Sequence, residues 1–153
     1  MPFPPEYQRA TDEFYSFLHT VRDAAMYGSA HPAYTTAQAV LQVFRRRISL
    51  EDGIRFATCL PVGLRALFVA EWDPCEPRRP FGTVEERTAE AQELRANHNY
   101  VEADSIAVVA GALWQYVDRA KLEAVLASME PAARAFWSEG RASDTGAGQD
   151  VTR

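Results

Sequence analysis

Cysteine is scarce in this sequence. Two residues, Cys59 and Cys75, give no disulfide framework. Without an export signal in residues 1–8 (MPFPPEYQ) they are expected to be reduced thiols in the cytoplasm. Lysine is rarer still: 15 of the 16 basic residues are arginine, and Lys121 is the exception. Composition alone offers no physical account of that bias. Long apolar runs are missing too. The longest, Ile106 to Trp114, is far short of the roughly 20 residues of a membrane span. No segment alternates apolar and polar residues with period two, so no strand is expected. There is no G-x-S-x-G elbow, no phosphate-binding loop, no dinucleotide glycine motif and no C-x-x-C pair. Carboxylates are plentiful, yet none fall into a recognisable acid–base pair. These absences argue against an enzyme and imply no cofactor.

What is present is an ordinary apolar fraction of 47% with 24% charged residues, which suits a packed globular chain. The formal charge of −5 is spread evenly. Residues 1–76 carry 9 acids and 7 bases, and residues 77–153 carry 12 and 9, so the halves stand at −2 and −3. Neither half is a basic module for nucleic acid.

The stretch Leu60–Pro80 (LPVGLRALFVAEWDPCEPRRP) organises the rest. Pro61 opens a helix, because a first-turn proline has no N–H partner to lose. Leu64, Leu67, Phe68 and Trp72 then make one apolar stripe. Trp72-Asp73-Pro74 ends the helix, and residues 72–82 read as a connector packed against what flanks it.

Before it, Thr11 is expected to cap a helix carrying Phe14, Phe17, Leu18 and Val21, stopped by Gly28. Residues 29–34 read as a loop. A helix over about 36–47 buries Val40, Leu41, Phe44 and Ile48. Ser49 caps a third helix, expected to bury Leu50, Ile54, Ala57 and Leu60. After the connector, Thr83 and Glu86 form a capping box for a helix over about 84–96, which is weakly apolar (Val84, Ala91, Leu94) and so expected to be more exposed. A loop at 95–99 leads to a helix from about Val101 that buries Ile106, Val109, Leu113 and Val117. Asp118 caps the next, which carries Leu122, Val125 and Met129. Pro131 opens the last, with Ala135, Phe136 and Trp137. From Glu139 the chain is polar and Gly-rich, and reads as a disordered tail.

An offset of 69 residues lays LPVGLRALF (60–68) over MEPAARAFW (129–137) and cap Ser49 over cap Asp118. The expectation is an all-α, duplicated helical bundle of about eight helices in two similar four-helix units around a pseudo-two-fold axis. Its parts are an N-terminal extension (1–11), a first unit (12–72), a connector (73–82), a second unit (83–138) and a tail (139–153).

The succession DEFYSFLHTV, AQAVLQVFRRRIS, LPVGLRALFVAEWDP and a looser second copy ending MEPAARAFW resembles the bacterial family called domain of unknown function 2267. The resemblance covers about residues 12–138, and the LP…LR…WDP run is its most specific part. Where the family often has glycine before WDP, this chain has Glu71. The resemblance implies an all-α fold with no established activity and no assigned catalytic or binding residues.

Two features are candidate sites. Trp72, Asp73 and Pro74 form either an interaction corner, an aromatic anchor beside a fixed carboxylate, or a structural plug, with Trp72 filling the seam between halves and Asp73 capping connector N–H groups. The plug weighs more, because Trp72 continues the Leu64–Phe68 stripe. Arg45, Arg46 and Arg47 form a short basic patch that could meet phosphates, or simply suit a helix C-terminus. His19, His31 and His98 lack metal-ligand spacing, so no metal is implied. The reading is a non-enzymatic helical interaction module that binds protein, self or other. A binder of small apolar molecules and a nucleic-acid regulator are the alternatives. A cavity lined by Phe44, Leu113 and Trp114 would favour the first of these alternatives.

Overall fold

The computed structural model describes residues 4–94 and 104–142. Among them are nine α-helices and no strand. They are α1 (Pro5–Gln8), α2 (Ala10–Ala25), α3 (Ala30–Arg45), α4 (Leu50–Thr58), α5 (Val62–Val69), α6 (Val84–Leu94), α7 (Ser105–Trp114), α8 (Arg119–Ala127) and α9 (Pro131–Ala142). No described helix is long and apolar enough to cross a membrane.

Side-chain caps set the starts of three helices, α4, α6 and α8. Ser49 Oγ accepts the Asp52 N–H at 3.1 Å, and Asp118 Oδ1 accepts the Lys121 N–H at 3.3 Å. Thr83 and Glu86 complete a reciprocal box, with Glu86 N–H to Thr83 Oγ1 at 3.1 Å and Thr83 N–H to Glu86 Oε2 at 3.3 Å. Each satisfies helix N–H groups that have no partner inside the helix.

Several expectations are corrected. Thr11 lies inside α2 rather than capping it, since the helix begins at Ala10. The helix stops at Met26, which takes the left-handed conformation at φ 59°, and not at Gly28. Most of the supposed loop 29–34 is helix: α3 starts at Ala30, with Pro32 tolerated in the first turn. The inner face of α4 is Gly53, Phe56 and Ala57, while Leu50 and Ile54 face outward. α6 is not simply an exposed helix; it buries Arg87, Thr88, Glu90 and Ala91. The last helix continues through Ala142, past the expected tail boundary. The expected 95–99 loop and the tail from residue 143 lie outside the described residues.

α7 is the central helix. It is apolar nearly all round, burying Ile106, Val109, Ala110, Ala112, Leu113 and Trp114, as a helix surrounded by others must. It packs against α9, α2 and α3. α3 is the second hub and meets α2, α5, α6 and α7. Aromatic rings fill the space beneath them. Phe44 lies 4.7 Å from Phe56 and 5.2 Å from both Phe136 and Trp137, ring centre to ring centre. Trp137 stacks on Phe56 at 5.4 Å, and the Trp114 indole N–H donates to the Trp137 carbonyl at 2.9 Å.

Candidate functional site

The most distinctive surface is built where α5 ends. Ala70 leaves the helix, and Glu71 then takes φ 55°, a left-handed conformation that disfavours any residue with a Cβ. This is the position where the resembled family often carries glycine. The turn folds Trp72 back over α4. Arg45 holds it in place, donating to the carbonyls of Phe68 at 2.9 Å and Ala70 at 2.8 Å, with Glu71 O at 3.5 Å. Burial lowers the Arg45 pKa; Arg46 adds to the shift, and Glu76 and Glu71 oppose it.

Trp72 is partly buried. One side of its ring rests on Gly53, where an added Cβ would stand 2.2 Å from ring atom Cη2. It meets Phe68 edge-on at 5.6 Å and lies 5.9 Å from the Arg45 guanidinium carbon. The neighbours named here come from α3, α4 and α5, within the expected first unit. The ring also lines a groove of about 460 Å³ between α4 and α5, with Leu50, Ile54, Val69 and Pro74. Leu50, Ile54 and Val69 are 46%, 61% and 46% exposed. Arg65 closes one end; its guanidinium donates to Ala57 O at 3.2 Å and Leu60 O at 3.1 Å. Asp73 Oδ1 accepts the Cys75 N–H at 2.9 Å, which sets the turn into the connector.

The arginine triplet does not form one patch. α3 ends at Arg45, so Arg46 and Arg47 lie in the turn that follows, and the three side chains take different directions. Arg45 turns to the α5 end. Arg47, 5% exposed, donates to Val43 O at 2.7 Å, to Phe81 O at 3.3 Å and to Glu90. Arg46 lies 3.5 Å from both Glu76 and Glu90. Arg79 of the connector also pairs with Glu90. One carboxylate, 8% exposed as a residue, thus gathers Arg46, Arg47 and Arg79. The connector is sewn down further by Arg79 N–H to Arg46 O at 2.9 Å and Arg78 Nε to Arg47 O at 3.0 Å. Glu90 was missed in the sequence; its signal is an acid at the inward position of α6, three residues after buried Arg87.

The remaining candidates stand apart from this surface. His19 is exposed on α2, and His31 lines a separate hollow of about 560 Å³ with Phe14, Tyr15 and Tyr34; His98 lies outside the described residues. Phe44, Leu113 and Trp114 are packed in the core and line neither hollow. Among the described residues no group of three or more His, Cys, Asp or Glu could hold a metal ion. The Cys59 thiol donates to Arg55 O at 3.6 Å, and burial raises its pKa, with Asp118 adding and Lys121 opposing. Cys75 is exposed on the connector.

Helices throughout and a central apolar helix place this chain among all-α helical proteins. Within that class it belongs to the family described as Uncharacterized conserved protein (DUF2267), which matches residues 14–136. The match spans the groove, the corner and the Glu90 cluster. No curated protein matches the chain.

Proposed function

We propose that this protein is a non-enzymatic helical interaction module whose α4–α5 groove, beside Trp72, receives apolar side chains of another polypeptide. One observation carries the reading: Leu50, Ile54 and Val69, exposed to 46%, 61% and 46%, line the same groove as partly buried Trp72. Single exposed apolar residues need no explanation, whereas a contiguous patch around an aromatic anchor marks a docking surface. Covering the three half-exposed side chains contributes roughly 1 kcal/mol each. Set against an association cost of about 4 kcal/mol or more, this describes a reversible partner.

An internal comparison supports the same reading. We take the chain as two similar units, α2–α5 and α6–α9, related by a pseudo-two-fold axis. α4 starts at Leu50 and ends at Thr58; α8 starts at Arg119 and ends at Ala127, so both ends differ by 69 (119 − 50 and 127 − 58). Some of the packing between the units supports this reading. α2 meets α7 while α3 meets α6, and the equivalent pairs α3–α7 and α4–α8 touch. At the same offset, Leu50, Ile54 and Val69 fall on Arg119, Glu123 and Ser138. The unit therefore does not need apolar residues at these outward positions, and their presence in the first copy calls for a partner.

The test is a photo-crosslinking amino acid placed at Ile54, with the same reagent at Glu123 as control, in cells that make the protein. A discrete polypeptide adduct from position 54, absent from position 123 and abolished by Leu50→Glu, is expected. The same adducts from both positions, or none from either, refute the proposal.

A further inference from the structure

The charges around the α4–α5 groove narrow the partner, on the groove reading given above. Past Trp72 and Pro74 the groove runs into a hollow of about 200 Å³ lined by Arg45, Arg46, Arg78 and a single carboxylate, Glu76. Leu50, Trp72 and Pro74 line both hollows, so they form one surface that turns the corner. Arg65 stands at the groove itself. Among the lining residues four arginines stand against one glutamate, on a chain whose formal charge is −5.

Two of these charges donate to main-chain carbonyls, and Glu76 and Glu71 act on Arg45 only from beyond ion-pair distance. Arg45 donates to Phe68, Ala70 and Glu71 carbonyls, and Arg65 to those of Ala57 and Leu60. Neither has a carboxylate within ion-pair distance among the described residues. Arg46 is shared between Glu76 and Glu90. Arg78 pairs with Glu130 at 2.7 Å, with both side chains about half exposed, so an incoming carboxylate can compete for it. A local excess of one sign around an apolar strip selects the opposite sign in a partner.

We infer that the groove binds an acidic peptide segment. Its apolar side chains cover Leu50, Ile54, Val69 and Trp72, and its aspartates or glutamates lie toward Arg65 at one end and Arg46 and Arg78 at the other. A polynucleotide fits worse, because the middle of the surface is apolar and offers its continuous phosphate backbone no cation there.

The experiment uses the full chain and three synthetic amphipathic peptides, with binding followed by tryptophan emission. Trp114 and Trp137 are 4% and 0% exposed, so a change on binding reports Trp72. One peptide carries leucines at helical spacing with glutamates elsewhere. The second replaces glutamate by lysine, and the third replaces leucine by serine. The acidic leucine peptide is expected to bind about tenfold tighter than the lysine peptide and to weaken between about 0.05 and 0.3 M salt. Arg78→Gln should weaken it about threefold at a temperature where circular dichroism shows the variant folded, and Ile54→Glu should abolish it.

Equal or tighter binding of the lysine peptide, salt-independent binding, or binding of no peptide overturns the inference. If both leucine peptides bind equally and Ile54→Glu abolishes both, the groove reading stands and only the acidic partner falls. If the serine peptide binds as well as the acidic leucine peptide, the groove is not used and both readings fall. Sedimentation of the free chain as a dimer that Ile54→Glu dissolves would put a second copy in the groove and overturn the inference as well.

Discussion

Replacing Gly53 by alanine sets two effects of opposite sign against each other. Gly53 lies inside α4, where alanine normally stabilises a helix by about 1 kcal/mol. At this position the new Cβ would lie 2.2 Å from Cη2 and 2.6 Å from Cζ3 of Trp72. Carbon contacts settle near 3.5–4.0 Å, so the ring must move by more than 1 Å. It cannot slide freely, because Phe68 meets it at 5.6 Å and the Arg45 guanidinium lies over it at 5.9 Å. Overpacking of this kind costs about 1–3 kcal/mol. Pulling the ring from Phe68 and Arg45 forfeits about 1–2 kcal/mol more. The losses exceed the helix gain, and Gly53→Ala should destabilise by about 1–4 kcal/mol. Urea unfolding followed by circular dichroism measures this, with Trp72 emission shifting to the red as the ring is expelled. In a Trp72→Leu background the clash is gone, and the same Gly53→Ala change should stabilise by about 1 kcal/mol. A stabilised Gly53→Ala single variant with unchanged emission would falsify the packing of Trp72 on Gly53.

Glu71→Gly should stabilise by about 1 kcal/mol, since it removes a Cβ from a φ of 55°; an unchanged or lower unfolding midpoint refutes the strained turn. Glu90→Gln should cost about 3–5 kcal/mol in urea unfolding, because it leaves Arg47 buried without its counter-charge, and a loss under about 1 kcal/mol would dissolve the hub. Gly28→Ala should be neutral to stabilising by up to about 1 kcal/mol, as nothing lies within 4 Å of the added Cβ and its φ is not positive. Because burial raises the Cys59 thiol pKa, Cys59 holds less thiolate near pH 8 than an ordinary thiol; alkylation read by mass spectrometry should modify exposed Cys75 first, and Cys75→Ser should remove the fast phase.

The features legible in the sequence were those decided within a few residues. Ser49, Asp118 and the Thr83–Glu86 box each act on an N–H three positions away, so their residues alone identify them. The family motif gave the WDP corner in the same way. What stayed hidden was decided by distant neighbours. α4 offers two apolar faces, Leu50 and Ile54 or Phe56 and Ala57, and only the packing of α5 and α8 against it selects the second. Pro32 reads equally as loop or first turn, and α3 takes the turn. α6 looked exposed because its buried side is polar, and burying Glu90 becomes tolerable only once arginines from α3 and the connector converge on it. The arginine triplet was visible as a run, but its three directions were not. The groove is half legible: Trp72 stands out, whereas its outward companions Leu50 and Ile54 read from the sequence as core residues.

The arginine bias takes on a practical meaning once its partners are known. Arg45, Arg47, Arg65, Arg78 and Arg87 all clasp main-chain carbonyls, a task suited to a planar fork of donors. The lone side-chain amine, Lys121, stands exposed in the first turn of α8. Amine-directed chemistry therefore finds one lysine target while the side chains that tie the helices together go untouched. Under conditions that spare the α-amino group, a dye, a biotin or a solid support attached there would hold every molecule by the same side chain.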